Sequence, residues 1–209
     1  MTTVLVFAKT PAPGRVKTRL CPPLSPVQAA ALHRRLVIHT LETATLAGIG
    51  PVILYGSPDL AHPFFQRCAR DYGIALRPQS DGDLGRRMSS ALDQHLVHGG
   101  GALLIGCDCP ALTADDLVAA EQALQEGFEA VLVPAEDGGY ALIGLRCSQP
   151  GLFTGIDWGS PTVLEATRTR LRDLRLSWTE LPTRWDVDRP EDLVRLSRAY
   201  PGLAVNGET

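Results

Sequence analysis

The sequence predicts an α/β fold, a three-layer sandwich with a mostly parallel central sheet. Three observations carry this. Short continuous apolar runs recur along the chain and read as strands covered on both faces. Segments of helical character separate them, and such alternation builds a parallel, doubly wound sheet. The 209 residues, 44% hydrophobic and 21% charged, suit one domain with a sizeable core. That domain is placed at residues 1–200, and residues 201–209 are expected to be a mobile tail or a contact between subunits.

The first strand begins at Val4 and breaks at Lys9 into a Pro/Gly loop that runs to Leu20. Residues 24–48 read as a crossover helix, with Ser25-Pro26 as cap and first turn and Gly48 or Gly50 as its stop. Strand 52–55, helix 63–72 ending at Gly73, and strand 74–77 follow. Residues 83–98 are amphipathic and 102–105 apolar. Thr113 caps a helix over 114–125, with Asp116 at its third position. Residues 130–133 and 141–145 are extended, and Pro190 starts a last helix.

Composition excludes several classes. A net charge of −3 argues against wholesale nucleic-acid binding, so the basic residues that matter are local and point to a small anion. No run of 18 apolar residues and no charged start followed by a hydrophobic segment is present, which reads as a cytosolic chain without a membrane partner. The five cysteines are odd in number and scattered, so free thiols are expected. Cys107-x-Cys109 has no second Cys/His pair at zinc spacing and reads as two small buried thiols. Gly14-Arg-Val-Lys-Thr18 lacks the glycines of a nucleotide-triphosphatase P-loop. His95 and His98, near a helix end, read as solvated or complementing its dipole.

In a sheet of this kind ligands bind beyond the carboxyl ends of the strands, so the loops there are the places to look. The first carries Lys9, Arg15, Lys17 and Arg19 around Gly14, a concentration of like charge that packing does not require. The second, residues 79–88, puts Gly82 and Gly85 beside a helix start that would favour an anion or a base edge, or is simply a capped turn. The third leaves Asp108 as the lone acid beyond its strand, a natural Mg²⁺ ligand or a turn former before Pro110. The fourth, residues 134–140, has Asp137-Gly138-Gly139, which permits close backbone approach or a plain hairpin turn. Asp186 and Asp188 lie on one side of an extended piece near the C-terminus, where either could supply a second metal carboxylate or Asp188 could cap the last helix. The three tryptophans, Trp158, Trp178 and Trp185, are expected to pack the core or an acceptor-side wall.

Five stretches in order resemble one family: Ala8-Lys-Thr-Pro-Ala-Pro-Gly-Arg-Val-Lys-Thr-Arg-Leu20, Gly82-Asp-Leu-Gly-Arg-Arg-Met88, Gly106-Cys-Asp-Cys-Pro110, Ala135-Glu-Asp-Gly-Gly-Tyr140 and Asp186-Val-Asp-Arg-Pro-Glu-Asp-Leu193. The chain resembles a bacterial glycosyltransferase-A-like (GT-A) family of the nucleotide-diphospho-sugar transferase superfamily, related to small nucleotidyltransferases such as phospholactate guanylyltransferase. The resemblance spans residues 4–193 and implies a GT-A fold. It further implies that Lys9, Gly14, Arg15, Lys17 and Arg19 wrap nucleotide phosphates, and that the base lies near Gln79, Gly82 and Gly85. By position, Asp108 matches the metal aspartate, with Asp188, or Asp186, as the second carboxylate. The usual Asp-x-Asp is here Cys107-Asp108-Cys109, which tilts the reading toward nucleotidyl transfer.

The resemblance therefore implies a Mg²⁺- or Mn²⁺-dependent transferase in which Lys17, Arg19 and Asp108 are catalytic. The partners expected are a nucleoside triphosphate and a small phosphorylated or anionic acceptor. Such a reaction needs positioning and electrostatics, with no nucleophilic side chain. The alternative is glycosyl transfer from a nucleotide sugar, whose hydroxyl acceptor needs a base, with Glu136 or Asp137 as candidates. Gly138, Gly139 and Tyr140 complete the acceptor side. A third reading is a nucleotide-binding module without turnover.

Overall fold

A computed structural model of the chain describes residues 1–96 and 100–205. A seven-stranded sheet runs in the order β3 (Ala75–Pro78), β2 (Val52–Ser57), β1 (Thr3–Lys9), β4 (Ala102–Gly106), β6 (Tyr140–Leu145), β5 (Ala130–Pro134) and β7 (Trp178–Glu180). Only β6 is reversed, pairing antiparallel with both β4 and β5. The expected three-layer α/β sandwich is therefore present. On one face lie α1 (Pro26–Ala47), α2 (Pro63–Tyr72) and α4 (Ala114–Gln125). On the other lie α3 (Leu84–Leu96) and α5 (Val163–Asp173), with a 3₁₀ turn at Pro150–Phe153. α6 (Pro190–Ala199) closes the described chain.

Alternation within the strands divides the core. Val4, Val6 and Ala8 of β1 join the α1/α2/α4 cluster, whereas Leu5 and Phe7 join the α3/α5 cluster. β1 is buried on both faces, as its unbroken apolar run requires. Local signals set the helix ends. The Ser25 side chain accepts from Gln28 N, Gln28 answers on Ser25 N, and Gly48 ends α1 at φ 63°. Thr113 and Asp116 form the same reciprocal box on α4. The segment expected at 83–98 is seen as far as Leu96; His98 lies outside the described residues. Two elements, α5 and β7, were not anticipated by the sequence reading.

The register explains why distant motifs meet. Phe7 pairs with Gly106, Lys9 with Ser57 and Gly56 with Pro78, so β1 to β4 end at one edge of the sheet. Because β6 is reversed, Tyr140 starts at that same edge and brings residues 135–139 with it. A parallel bridge between Ala135 and Arg184 carries residues 184–188 there too.

Arg184 also fixes this segment to α4 through two hydrogen bonds to Asp116, at 2.6 and 2.8 Å. Burial opposes the Asp116 charge, but hydrogen bonds from Arg184 and Thr113 outweigh it and hold the carboxyl below its usual range. A depressed folded pKa contributes stability above the unfolded value near ~3.9, lost as pH falls through the folded value. Asp116→Asn is expected to cost about 2 kcal/mol at pH 7, with a smaller difference from wild type at pH 3, as read by urea unfolding.

A third cluster of Leu20, Leu32, Leu36, Trp185, Val187 and Leu196 sits under the first loop. Leu203 and Val205 pack against it, and Arg35 donates to the carbonyls of Leu203 and Ala204. The expected mobile tail is thus docked over residues 201–205, because its apolar side chains cover this cluster. Residues 206–209 lie outside the described chain.

Candidate active site

The first loop leaves β1 at Lys9 and is anchored at both ends. Thr10 N donates to the Ser57 carbonyl at 2.7 Å, and the Thr10 hydroxyl reaches the carbonyls of Ser57 and Asp59. Val16 and Leu20 are buried. Gly14 takes φ 73° with open space on its Cα, as a residue free for close backbone approach should. Lys17 is non-glycine at φ 50°, an uncommon conformation that turns its side chain inward. That side chain is only 4% exposed.

Its ammonium lies 2.7 Å from Asp108 Oδ1 and also donates to the Val187 carbonyl. The Val187 amide in turn donates to the Asp108 carbonyl at 2.8 Å, and Cys109 Sγ donates to the Trp185 carbonyl at 3.1 Å. The β1 loop, the β4 loop and residues 185–188 are thereby locked together. Arg19, exposed, pairs with Asp188 at 2.7 Å, and Asp188 N and Arg189 N both donate to Asp192. Lys17 and Arg19 are therefore engaged with the two carboxylates expected to bind metal, a pairing not legible in the sequence. Lys9 and Arg15 have exposed side chains and stay near the same edge.

Electrostatics separate the aspartates. The Asp108 side chain is 57% exposed on the crevice side; the packing behind it works against its charge, but the Lys17 ammonium and its hydrogen bond, with weaker help from His33 and Lys9, hold its carboxyl below the usual range. Burial, then the neighbouring Asp137 and Asp108, pushes Asp186 up to about 6 against the opposing pull of Lys17. His33, which the sequence reading missed, is buried under the loop and meets the Lys9 carbonyl at 2.9 Å through Nε2. The carbonyl can only accept, so Nε2 carries the proton. Its signal was a polar residue on the buried stripe of α1.

A crevice of about 850 Å³ opens beside Asp108. Asp186, Asp188, Glu136, Asp137, Gly139 and Tyr140 line it, together with Trp158. Glu136, a candidate base, is held by two hydrogen bonds from Arg195, whose guanidinium lies 4.6 Å from the Trp185 ring centroid. Asp137 accepts from Gly139 N at 2.8 Å and has no cation partner among the described residues. Gly138, at φ 89°, lies where a Cβ would fall 2.0 Å from the Pro161 carbonyl, so its glycine serves loop packing.

Two expected base-binding residues have other employment. The Gln79 amide nitrogen donates to the carbonyls of Tyr55 at 3.0 Å and Ala8 at 3.3 Å, tying β3 to its neighbours. At Gly85 the open face is covered by the Trp158 indole, whose Nε1 lies 2.4 Å from an added Cβ; no nucleotide can approach from that side. Gly82 keeps φ 110° over the Arg86 side chain. Trp178 donates to Glu180, and Trp185 sits in the third cluster.

The donor chemistry fits a hard divalent cation. Asp108 and one of Asp186 or Asp188 offer carboxylate oxygens from two segments locked side by side, the number Mg²⁺ takes when phosphates complete its shell. No ready-made group of three His, Cys, Asp or Glu ligands exists among the described residues. No described helix is long and apolar enough to cross a membrane.

Comparison with known proteins agrees with the fold. Residues 40–160 match the family described as "Uncharacterized protein conserved in bacteria (DUF2064)". No curated protein matches. A Desulfovibrio desulfuricans G20 protein, provisionally named a nucleotide-diphospho-sugar transferase, is 31% identical with a TM-score of 0.83, over 95% of this chain and 88% of its own. A nucleotidyl transferase from Methanothermobacter shares 13% identity at a TM-score of 0.65, covering 97% and 98% of the two chains. A CMP:2-keto-3-deoxy-manno-octonic acid synthetase complexed with CTP shares 13% at 0.62, over 96% and 98%. The last two show the fold alone.

Proposed function

From the premise that the chain belongs to the DUF2064 family and carries the nucleotide-diphospho-sugar transferase fold, we propose that it is a divalent-metal-dependent, nucleotide-using transferase. The observation that carries this reading is the lock of Lys17, Asp108 and Val187, which gathers a cation and carboxylates from three segments at the edge of the sheet. The nucleotide lies over the β1, β2 and β3 ends, and the acceptor in the crevice beside β4 and β6. The 31% identical relative, named for nucleotide-diphospho-sugar transfer, supports the class.

The leading form is nucleotidyl transfer. An acceptor oxygen attacks the α-phosphorus of a nucleoside triphosphate, and the bond to the pyrophosphate oxygen breaks with its electron pair. Asp108 with Asp186 or Asp188 would hold Mg²⁺, which supplies positive charge to the phosphates. Arg15 and Arg19 approach the phosphates from the rim, and Gly14 lets the backbone do so. Lys17 holds Asp108 until phosphate arrives. The second reading is glycosyl transfer from a nucleotide sugar, favoured by the Asp137 carboxylate, which lines the crevice with no cation partner among the described residues, where a hydroxyl acceptor would need a base.

A thermal-shift panel of four nucleoside triphosphates and several nucleotide sugars, with and without Mg²⁺, tests the proposal. Binding at one hundred times Kd stabilises by about 2.7 kcal/mol. Metal-dependent stabilisation by one triphosphate supports nucleotidyl transfer, and by a nucleotide sugar, glycosyl transfer. Stabilisation by neither removes the proposal.

A further inference from the structure

We propose that the crevice beside Asp108 takes an acceptor rich in hydrogen-bond donors and free of negative charge: a hydroxylated or ammonium-bearing molecule with one apolar face. This rests on the reading of the crevice as the acceptor side, and it replaces the phosphorylated or anionic acceptor that the sequence led us to expect.

The floor is apolar. Phe7, Leu104 and Met88 lie at the base, and Leu84, Tyr140 and Trp158 form a side. Trp158 stacks on Phe153 at 6.4 Å and is seated by the missing side chain of Gly85. Its Nε1 is buried against Gly85, so the indole meets the crevice as apolar surface. At about 850 Å³ the space suits a small organic molecule.

The remaining lining is acidic. Seven carboxylate side chains line the crevice against two arginines, Arg19 and Arg189, so the lining stays net acidic with both counted; Arg19 pairs with Asp188 until it turns to the nucleotide phosphates. With Asp108 and its partner assigned to metal, Asp137 and Glu191 still stand without a cation partner among the described residues. Ionised carboxylates only accept hydrogen bonds. Hydroxyl and ammonium groups meet them as donors, whereas a phosphate brings more acceptors and like charge among them. The walls do not readily give way, since Leu164 N donates to the Gly138 carbonyl at 2.8 Å and Glu136 N to the Arg184 carbonyl at 3.0 Å.

The chain's two methionines are Met1, which is exposed, and Met88 on the crevice floor, so methyl-¹³C methionine labelling gives one reporter inside the site and one outside. We would titrate the whole labelled protein, free of metal and nucleotide, with phenyl β-D-glucoside, benzylamine and phenyl phosphate, which share one apolar face and differ in charge. The expected result is a Met88 shift with a Kd for the glucoside or the amine about tenfold or more below that for the phosphate. The glucoside winning marks a hydroxylated acceptor, and the amine winning an ammonium-bearing one. In an Asp137→Asn/Glu191→Gln variant the phosphate should bind severalfold tighter and the benzylamine severalfold more weakly than in wild type. Phenyl phosphate binding as tightly as both others, or neither of them moving Met88, overturns the inference. Since no nucleotide or metal is present, this outcome stands apart from that of the nucleotide panel.

Discussion

Asp108→Asn is expected to lower kcat/KM by on the order of 10³-fold or more and to remove the Mg²⁺-dependent part of any nucleotide stabilisation. Asparagine keeps the shape and one acceptor oxygen but loses the charge that a divalent cation requires. The fold should survive. Its stability should fall by about 2 kcal/mol, because the Lys17 ammonium, 4% exposed, keeps the Val187 carbonyl yet loses its counter-charge. Circular dichroism checks the fold, and calorimetric titration with Mg²⁺ and triphosphate checks the site. Wild-type turnover in this variant would take Asp108 out of the mechanism. Running Asp186→Asn and Asp188→Asn alongside identifies the second carboxylate: the metal ligand should reproduce most of the Asp108 loss. An aspartate that only pairs with Arg19, as Asp188 does here, should change affinity modestly.

What the sequence made legible was mostly local. The cap at Ser25, the stop at Gly48 or Gly50 and the Thr113 cap with Asp116 at the third position are signals within a few residues; the structure has the caps as read and puts the stop at Gly48. The buried strands were equally plain, since an unbroken apolar run such as that of β1 leaves little choice but burial on both faces. β7 escaped because its three residues, Trp-Thr-Glu, are half-buried at a sheet edge and show no apolar run. α5 carries Glu165, Arg168, Arg170 and Arg172 with few apolar residues, so its helical stripe was faint. The reversal of β6 hung on whether Asp137-Gly138-Gly139 made a hairpin, which the register with β4 decides.

At the site, residue types were legible and partnerships were not. That Asp108 lies beyond β4 follows from one apolar run. That Lys17 reaches it depends on the left-handed turn at Lys17 and on the third cluster beneath, both tertiary properties. Gly85 shows the same limit. A glycine at a helix start suggested room for an anion or a base edge, yet its close neighbour is the Trp158 indole, delivered by a loop far along the chain.

Lys17→Met is expected to move two affinities in opposite directions. In the nucleotide-free protein the ammonium sits 2.7 Å from Asp108, so a cation arriving alone must compete with it. Methionine keeps the length and apolar stem of lysine while removing the charge, which leaves Asp108 open. Mn²⁺ alone should bind severalfold tighter, as read by electron paramagnetic resonance of free Mn²⁺. Triphosphate, by contrast, should bind about tenfold or more weakly, and its affinity should depend less on salt because one charge contact is gone. The two opposed shifts separate this role from a structural one. A lysine that merely braced the loop would, when removed, loosen Asp108 and weaken metal and nucleotide together, and that result would return Lys17 to the scaffold. The natural pairing thus has a consequence for order of binding: metal and phosphate arriving together satisfy both Asp108 and Lys17 at once, whereas either alone leaves the other charge without a partner, so each should raise the affinity for the other.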